Sequence, residues 1–132
     1  MKITPDTNIL IRAVVRDDVK QAQAATKLLK EAELIAVSLP CLYEFVWVLR
    51  RVYNFGLGDI SAALNALLEA SNVAVNRPAV DAGLAILNAG GDFADGLIAY
   101  EGNWLGAETF VSFDKRAFSL ITKQGQQAKL LT

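Results

Sequence analysis

MKITPDTNIL (residues 1–10) sets an acid, a hydroxyl and an amide directly after a short apolar segment, and the predicted architecture depends on this change. Residues 2–4 have the composition of a short strand, and residues 7–15 have that of a helix. Asp6 stands between the two, where it either caps the helix or presents a carboxylate at the carboxyl end of the strand. The remainder of the sequence has to distinguish these two roles.

The same alternation of strand and helix recurs along the chain. We predict further strands at residues 34–37, 72–75, 109–112 and 128–131, and further helices at residues 17–32, 38–54, 59–70, 77–88 and 92–105. Short strands alternating with longer helices predict an α/β fold with a mainly parallel central sheet of four to five strands. Since no repeat or linker divides the 132 residues, we expect one domain over residues 1–132.

The composition limits the class of protein. Hydrophobic residues make up 53% of the chain, which predicts a large core and a surface that contacts a second copy or a partner protein. No apolar run approaches the roughly 18 residues of a membrane span, and acid and amide residues interrupt any signal-peptide core. The single Cys41 fits a buried side chain in a reducing compartment. We therefore expect a cytoplasmic protein with no membrane segment.

The chain has no histidine, and this absence is informative about chemistry. It excludes Ser-His-Asp and Cys-His catalysis and histidine-based zinc sites. With 13 basic and 14 acidic residues the net charge is −1, so no global attraction for nucleic acid is predicted. An enzyme with this composition has to use carboxylates, lysines, hydroxyls or a bound ion.

Four acids are predicted at one edge of the sheet. Asp6 follows the first strand, and Glu44 lies early in the helix after the second. Asp95 lies in the first turn of the helix before the fourth strand, and Asp114 comes just after that strand. Because ligands of open parallel sheets bind beyond the carboxyl ends of the strands, we expect the four carboxylates to converge.

Each acid also has a purely structural interpretation. Asp6 fits an ordinary helix cap, and Asp92 with Asp95 fits a cap followed by an acid that the helix dipole favours. Asp114 fits the start of a turn. Glu44 is harder to explain in this way, because its neighbours in LYEFVWVL (residues 42–49) are apolar and a carboxylate among them needs a cation.

Taken together, the four acids predict a metal site. Oxygen ligands without histidine or cysteine suit Mg²⁺ or Mn²⁺, which can activate water and hold a phosphodiester for in-line displacement. Thr7, Asn8 and Ser112 are placed to orient these acids or to bind phosphate.

Four motifs carry a resemblance to a known family. They are DTNIL (residues 6–10), LYEFVWVL (residues 42–49), DFADGLIA (residues 92–99) and FVSFDK (residues 110–115). In their order and spacing, over almost the whole chain, they resemble the PIN-domain family, and specifically the VapC-type toxins of type II toxin–antitoxin pairs.

The resemblance implies a three-layer α/β/α fold and a metal-dependent endoribonuclease. It implies an RNA substrate, Mg²⁺ or Mn²⁺ as cofactor, and a cognate antitoxin that covers the active site. The high content of hydrophobic residues separately predicts a homodimer. By similarity, Asp6, Glu44, Asp95 and Asp114 are the catalytic metal ligands. Two departures from the family pattern are Pro5, which can tilt Asp6, and Gly96, which replaces the usual Ala and is expected to loosen the helix start. The basic residues expected to form a rim for RNA are Arg12, Arg16, Lys115 and Arg116.

Three rival functions stay open on the sequence alone. A phospho-receiver domain has a similar architecture but needs an acid after a middle strand, where this chain has Asn76. A non-catalytic PIN-like binding module would need none of the four acids, and a nuclease for DNA would need the same ones. Phe45, Trp47, Val48 and Tyr53 could line an antitoxin or dimer groove, but ordinary core packing is the better interpretation for Phe45 and Val48.

Overall fold

The computed structural model describes residues 1–132, which divide into two compact units, 1–76 and 77–132. The first contains β1 (Lys2–Ile3), α1 (Thr7–Val14), α2 (Val19–Glu31), β2 (Leu34–Ala36), α3 (Leu39–Arg51), α4 (Leu57–Glu69) and β3 (Val73–Ala74). The second contains α5 (Arg77–Asn88), α6 (Phe93–Trp104), β4 (Thr109–Ser112), α7 (Lys115–Lys123) and β5 (Gln127–Leu130).

The first unit is built on a parallel sheet with the strand order β1-β2-β3. Ile3 pairs with Ile35, and Ile35 pairs with Val73 on its other side, so β2 is the central strand. Its helices place Leu42, Leu49 and other apolar side chains in a core with no measurable exposure. Polar caps begin the helices: a side-chain oxygen of Asp6, Asp18 and Ser38 accepts a hydrogen bond from a backbone N–H of the first turn in α1, α2 and α3 respectively.

The second unit contains a parallel β4–α7–β5 crossover. Four residue pairs connect the two strands, from Thr109 with Gln127 to Ser112 with Leu130. Ile86, Ala99, Leu120 and Ile121 form the apolar cluster beneath them, with Phe110 and Ala128 packed against it. Five strands with parallel pairing and seven helices confirm the α/β fold predicted from the sequence.

Helices α5 and α6 approach each other closely because glycine occupies the contact. A Cβ at Gly96 would overlap the carbonyl oxygen of Ala82 and lie 2.6 Å from the Cα of Gly83. On the facing helix, Gly83 makes room for the ring of Phe93. The expectation for Gly96 concerned helix propensity at the start of α6; the structure adds that its missing side chain lets the two helix backbones meet.

Several boundaries differ from the sequence prediction. Helix α7 was not predicted at all, and Asp114 before it was considered as the possible start of a turn. Helix α4 begins at Leu57 after Gly56, two residues before the predicted start at Asp59. Helix α3 ends at Arg51, three residues before the predicted end. No helix has the length and apolar content needed to cross a membrane.

Candidate active site

In the first unit, Asp6 and Glu44 line the same cleft. Asp6 ends the β1 segment and caps α1, with Oδ1 accepting a hydrogen bond from the backbone N–H of Ile9 at 3.2 Å. Glu44 projects from the second turn of α3. The cleft has a volume of about 360 Å³, and Thr7 and Asn8 also line it. Asp6 thus has both of the roles considered from the sequence, since it caps a helix and presents a carboxylate beyond a strand.

Glu44 is held in place by Thr7. The Thr7 hydroxyl donates a 2.8 Å hydrogen bond to Glu44 Oε1, and no cation pairs with this carboxylate. Glu44 is exposed, as is Tyr43 before it, whereas the nearby Leu42 and Phe45 face the core. The argument that apolar surroundings make Glu44 costly was therefore wrong, because the helix turns its carboxylate away from them.

Cys41 reports on the negative charge of this cleft. Burial raises the pKa of its thiol, and the nearby carboxylates of Asp6 and Glu44 raise it further, while a hydrogen bond with Thr7 acts in the opposite direction. A raised pKa disfavours the thiolate form, which is the nucleophilic form of cysteine. The predicted burial of this free cysteine is confirmed.

In the second unit, three acids lie at the starts of two helices. Asp92 caps α6, with Oδ1 accepting from the N–H of Ala94 at 3.0 Å. Asp95 lies one turn further along the chain in the same helix. Asp114 caps α7, with Oδ1 accepting from the N–H of Arg116 at 2.8 Å. The structural interpretation of Asp92 as a cap is thus confirmed, and Asp114 begins a helix rather than a turn.

The carboxylate of Asp95 carries an unfavourable charge. It is partly buried, and burial raises its pKa; the charges of Asp92 and Asp114 raise the pKa further. None of the three ion pairs in the chain involves any of these acids. Three like charges without a cation form the kind of environment that a divalent ion relieves.

Ser112 supports Asp114 through the backbone. Its hydroxyl oxygen accepts a 2.9 Å hydrogen bond from the N–H of Asp114. This contact fixes the chain as β4 ends and α7 begins, and so determines the direction in which the Asp114 carboxylate leaves the backbone.

The four basic residues predicted as an RNA rim differ in their surroundings. Arg12 is already paired, with Nη1 at 2.8 Å from Asp17 Oδ1. Arg16 donates to the hydroxyl of Thr26 at 3.1 Å. In the second unit, Lys115 is exposed and Arg116 packs against a glycine of the α5–α6 connection. Lys115 is consequently the basic side chain of this set with the fewest contacts.

A second cleft in the first unit, which was not predicted from the sequence, lies between α1 and α2 and has a volume of about 440 Å³. Asp6 and Asn8 line it as well as the cleft of Glu44. Gln21 lies on its α2 side. The signal in the sequence was the run of small residues in QAQAA (residues 21–25), which leaves space between two helices without showing where the space opens.

The donors present fit a hard divalent cation. All candidate ligands are carboxylate or hydroxyl oxygens, which Mg²⁺ and Mn²⁺ prefer. No group of three or more acidic, histidine or cysteine side chains lies in an arrangement that would hold a metal ion. Asp6 and Glu44 form one pair of candidate ligands, and Asp95 and Asp114 form another.

Asp95→Asn is expected to stabilise the fold in the absence of divalent ions. Because the pKa of Asp95 is raised in the folded chain, the folded state binds more protons than the unfolded state between the two pKa values. Stability therefore falls as pH rises through that window, and the ionised carboxylate remains unfavourable at neutral pH. The melting temperature in EDTA should rise in the variant, and its decline with pH should become shallower.

Asp59→Asn is the matched control, because Asp59 is an exposed acid in the first turn of α4, as Asp95 is in α6. Its removal takes away only a favourable helix-dipole interaction, so the melting temperature should stay constant or fall slightly. A melting temperature that drops in Asp95→Asn would contradict the charge assignment.

Comparison with known proteins gives the family. The model of the PIN domain matches residues 3–123, which is most of the chain and includes residues of both units. A search of curated proteins finds no significant match. PIN domains are typically nucleases, in agreement with a carboxylate-rich, histidine-free site. With its parallel α/β fold and its acids at strand ends and helix starts, the chain belongs to the PIN-domain family.

Proposed function

We propose that this chain is a divalent-metal-dependent endoribonuclease that acts as the toxin of a type II toxin–antitoxin system. The observation that carries the proposal is the partly buried Asp95, whose charge is opposed by Asp92 and Asp114 and met by no cation of the chain. A partly buried carboxylate without a cation lowers the stability of the fold, and such a cost is typical of a site that binds a ligand. PIN-family membership makes phosphodiester hydrolysis the reaction that such a ligand serves best.

The proposed metal-binding acids are Asp6 and Glu44 in the first unit and Asp95 and Asp114 in the second. Bound Mg²⁺ or Mn²⁺ supplies an activated water and neutralises charge on the phosphodiester. Asp6 and Asp114 each use Oδ1 to cap a helix, so the second oxygen of each carboxylate has no backbone partner. These two acids are thereby anchored at one oxygen and available at the other.

Neighbouring polar groups have supporting roles in this proposal. Thr7 holds Glu44 through Oε1, which leaves Oε2 for a cation, and a fixed ligand loses less entropy on binding. The Asn8 amide lines the same cleft and can donate to a phosphate oxygen. Ser112 sets the backbone of Asp114.

Cleavage of total cellular RNA, mapped by end sequencing, tests the proposal. Purified protein in Mg²⁺ or Mn²⁺ should produce discrete cuts that disappear in EDTA. Single-stranded DNA of matched sequence serves as the second substrate. Preferential cutting of DNA would show that the protein is a deoxyribonuclease rather than a ribonuclease. Absence of cutting in both, in a preparation free of partner protein, would favour a non-catalytic PIN module. The phospho-receiver alternative is removed by the family assignment.

The antitoxin partner rests on the resemblance of the four sequence motifs to VapC-type toxins. The proposed groove on α3 is only partly supported. Phe45 is a core residue, which agrees with the core-packing interpretation, and the Tyr53 hydroxyl donates to Asp17. Trp47 remains exposed on that helix.

A homodimer through the end of α6 is the proposed assembly. Trp104 is 79% exposed and Leu105 is 77% exposed, and Ile98 is exposed on the same helix. Such apolar side chains are typical of an interface with a second copy. In sedimentation velocity at micromolar concentration, we expect wild type to be dimeric and Trp104→Gln to be monomeric.

Trp47→Gln is the control for this experiment, because it removes an exposed tryptophan from another helix and should leave the dimer intact. A monomeric wild type, or a Trp104→Gln variant that sediments as a dimer, would refute this interface.

A further inference from the structure

Apart from Asp6, none of the residues that line the cleft between α1 and α2 is a proposed metal ligand. Its volume of about 440 Å³ lies within the roughly 300–1,000 Å³ range of small-ligand pockets. Asp6 and Asn8 line both this cleft and the one that contains Glu44. A ligand in the α1–α2 cleft therefore lies beside a proposed metal-binding carboxylate.

The walls of the cleft combine an apolar surface with amide groups. Ile9 and Leu28 supply apolar surface from the two helices. Asn8 and Gln21 supply side-chain amides, and neither amide makes a hydrogen bond within the chain. An amide carries donors and an acceptor together, which suits the mixed donor and acceptor edge of a nucleobase.

Arg12 forms a further part of the wall and is fixed by two partners. Its Nη1 contacts Asp17 Oδ1 at 2.8 Å and the Tyr53 hydroxyl at 3.4 Å, and that hydroxyl donates to Asp17 Oδ2 at 3.2 Å. The ion pair with Asp17 offsets the charge of Arg12. Arg12 therefore presents a guanidinium plane in a fixed orientation rather than an unpaired positive charge. Its Nε is buried without a hydrogen-bond partner. Guanidinium planes stack on unpaired RNA bases, so the held plane of Arg12 suits the face of a base.

We propose that the α1–α2 cleft binds one unpaired base of the RNA, adjacent to the phosphodiester that is cut, and so contributes to sequence preference. This inference rests on the proposed ribonuclease function for its substrate. Apolar packing by Ile9 and Leu28 holds the base, and the amides of Asn8 and Gln21 read its edge. A side chain of a partner protein is the competing occupant. We favour a base, because its edge carries both donors and acceptors that match the unpaired amides of Asn8 and Gln21 beside a proposed metal-binding acid.

Ala24→Leu tests the proposal by filling the cleft. Ala24 lines the cleft and is exposed on α2, so leucine occupies the space without disturbing the core or helix propensity. Ala66→Leu is the matched control, because Ala66 is exposed on α4 and lines none of the clefts described. Both variants keep every proposed metal ligand.

The first readout is binding of the four nucleoside monophosphates, which is measured by saturation-transfer NMR in EDTA. We expect at least one of them to bind wild type and Ala66→Leu, and to bind Ala24→Leu at least tenfold more weakly. If no nucleotide binds wild type, or if Ala24→Leu binds as well as the control, the base site is refuted. The base site is likewise refuted if a partner protein binds in this cleft and no nucleotide does.

The second readout is the sequence preference of RNA cleavage. Ala24→Leu should raise KM and relax the preference at one nucleotide next to the cut, with kcat changed much less than KM. An unaltered preference would refute the proposal. Nucleotide binding in the cleft of a protein that cuts no RNA would instead uphold the base site and refute the ribonuclease function, so the two failures are distinguishable.

Discussion

Asp95→Asn is expected to lower the rate of RNA cleavage by about 100-fold or more. Loss of a group that merely supports a metal ligand typically costs about 10–100-fold in affinity or activity, and a direct ligand should cost at least the upper end of that range. Asparagine keeps the size of the side chain and one acceptor oxygen but removes the charge that attracts a cation. The effect is measured as the single-turnover rate on a mapped RNA substrate at saturating Mn²⁺.

The same variant should be more stable than wild type in EDTA, because burial and the charges of Asp92 and Asp114 oppose ionisation of Asp95. Loss of activity together with a gain in stability distinguishes a metal-binding acid from a structural one. Asp59→Asn, the exposed first-turn control, should keep full activity. Undiminished cleavage by Asp95→Asn would mean that Asp95 is not a ligand, or that a contaminating nuclease makes the cuts.

Gly96→Ala is expected to destabilise the fold by about 1–3 kcal/mol, the usual cost of overpacking a tight contact. A Cβ at this position meets backbone atoms of α5, namely the Ala82 carbonyl oxygen and the Gly83 Cα. Backbone cannot move aside as a flexible side chain can, so α6 has to shift away from α5. Since Asp95 precedes Gly96 on α6, the shift should also weaken metal binding.

Gly102→Ala provides a control in the same helix. A Cβ at Gly102 has no atom within 4 Å, so this substitution should gain about 0.5–1 kcal/mol from helix propensity. Opposite signs for the two variants in urea denaturation are the expected result. Two variants that shift the midpoint in the same direction would rule out close packing as the role of Gly96.

Local signals predicted much of the fold. The predicted bounds of residues 77–88 and 109–112 agree with those of α5 and β4. Asp6, Ser38 and Asp92 begin helices as predicted, because a cap is recognised from a few consecutive residues. Periodicity and caps act within one element, so sequence alone is sufficient for them.

Helix α7 shows where such signals were present but overlooked. Asp114 caps it, and the buried Ala117, Leu120 and Ile121 follow at helical spacing. The helix has only nine residues, and Asp114 before it also fits the start of a turn, so the short apolar pattern was missed. Without α7, the parallel β4–β5 pair had no crossover connection, although parallel strands require one.

Other features depend on neighbours that are distant in sequence. The exposure of Glu44 depends on which face α3 presents, and its hydrogen bond comes from Thr7, 37 residues away. The role of Gly96 depends on the backbone of another helix. The pairing of Arg12 with Asp17 and Tyr53, which changes it from an open cation into part of a cleft wall, requires the packed structure.

The chemistry of the product ends tests the central claim most directly. If carboxylates and a divalent ion direct water at the phosphodiester, no 2′,3′-cyclic phosphate forms, and a 2′-deoxy substitution at the cut nucleotide does not abolish cleavage. Mass spectrometry of the products from a short mapped RNA distinguishes the possibilities in one experiment. We predict linear phosphate and hydroxyl ends that appear only with Mg²⁺ or Mn²⁺. A cyclic phosphate formed equally well in EDTA would contradict the account, because the 2′-hydroxyl would then be the nucleophile and the acids would have no metal to bind.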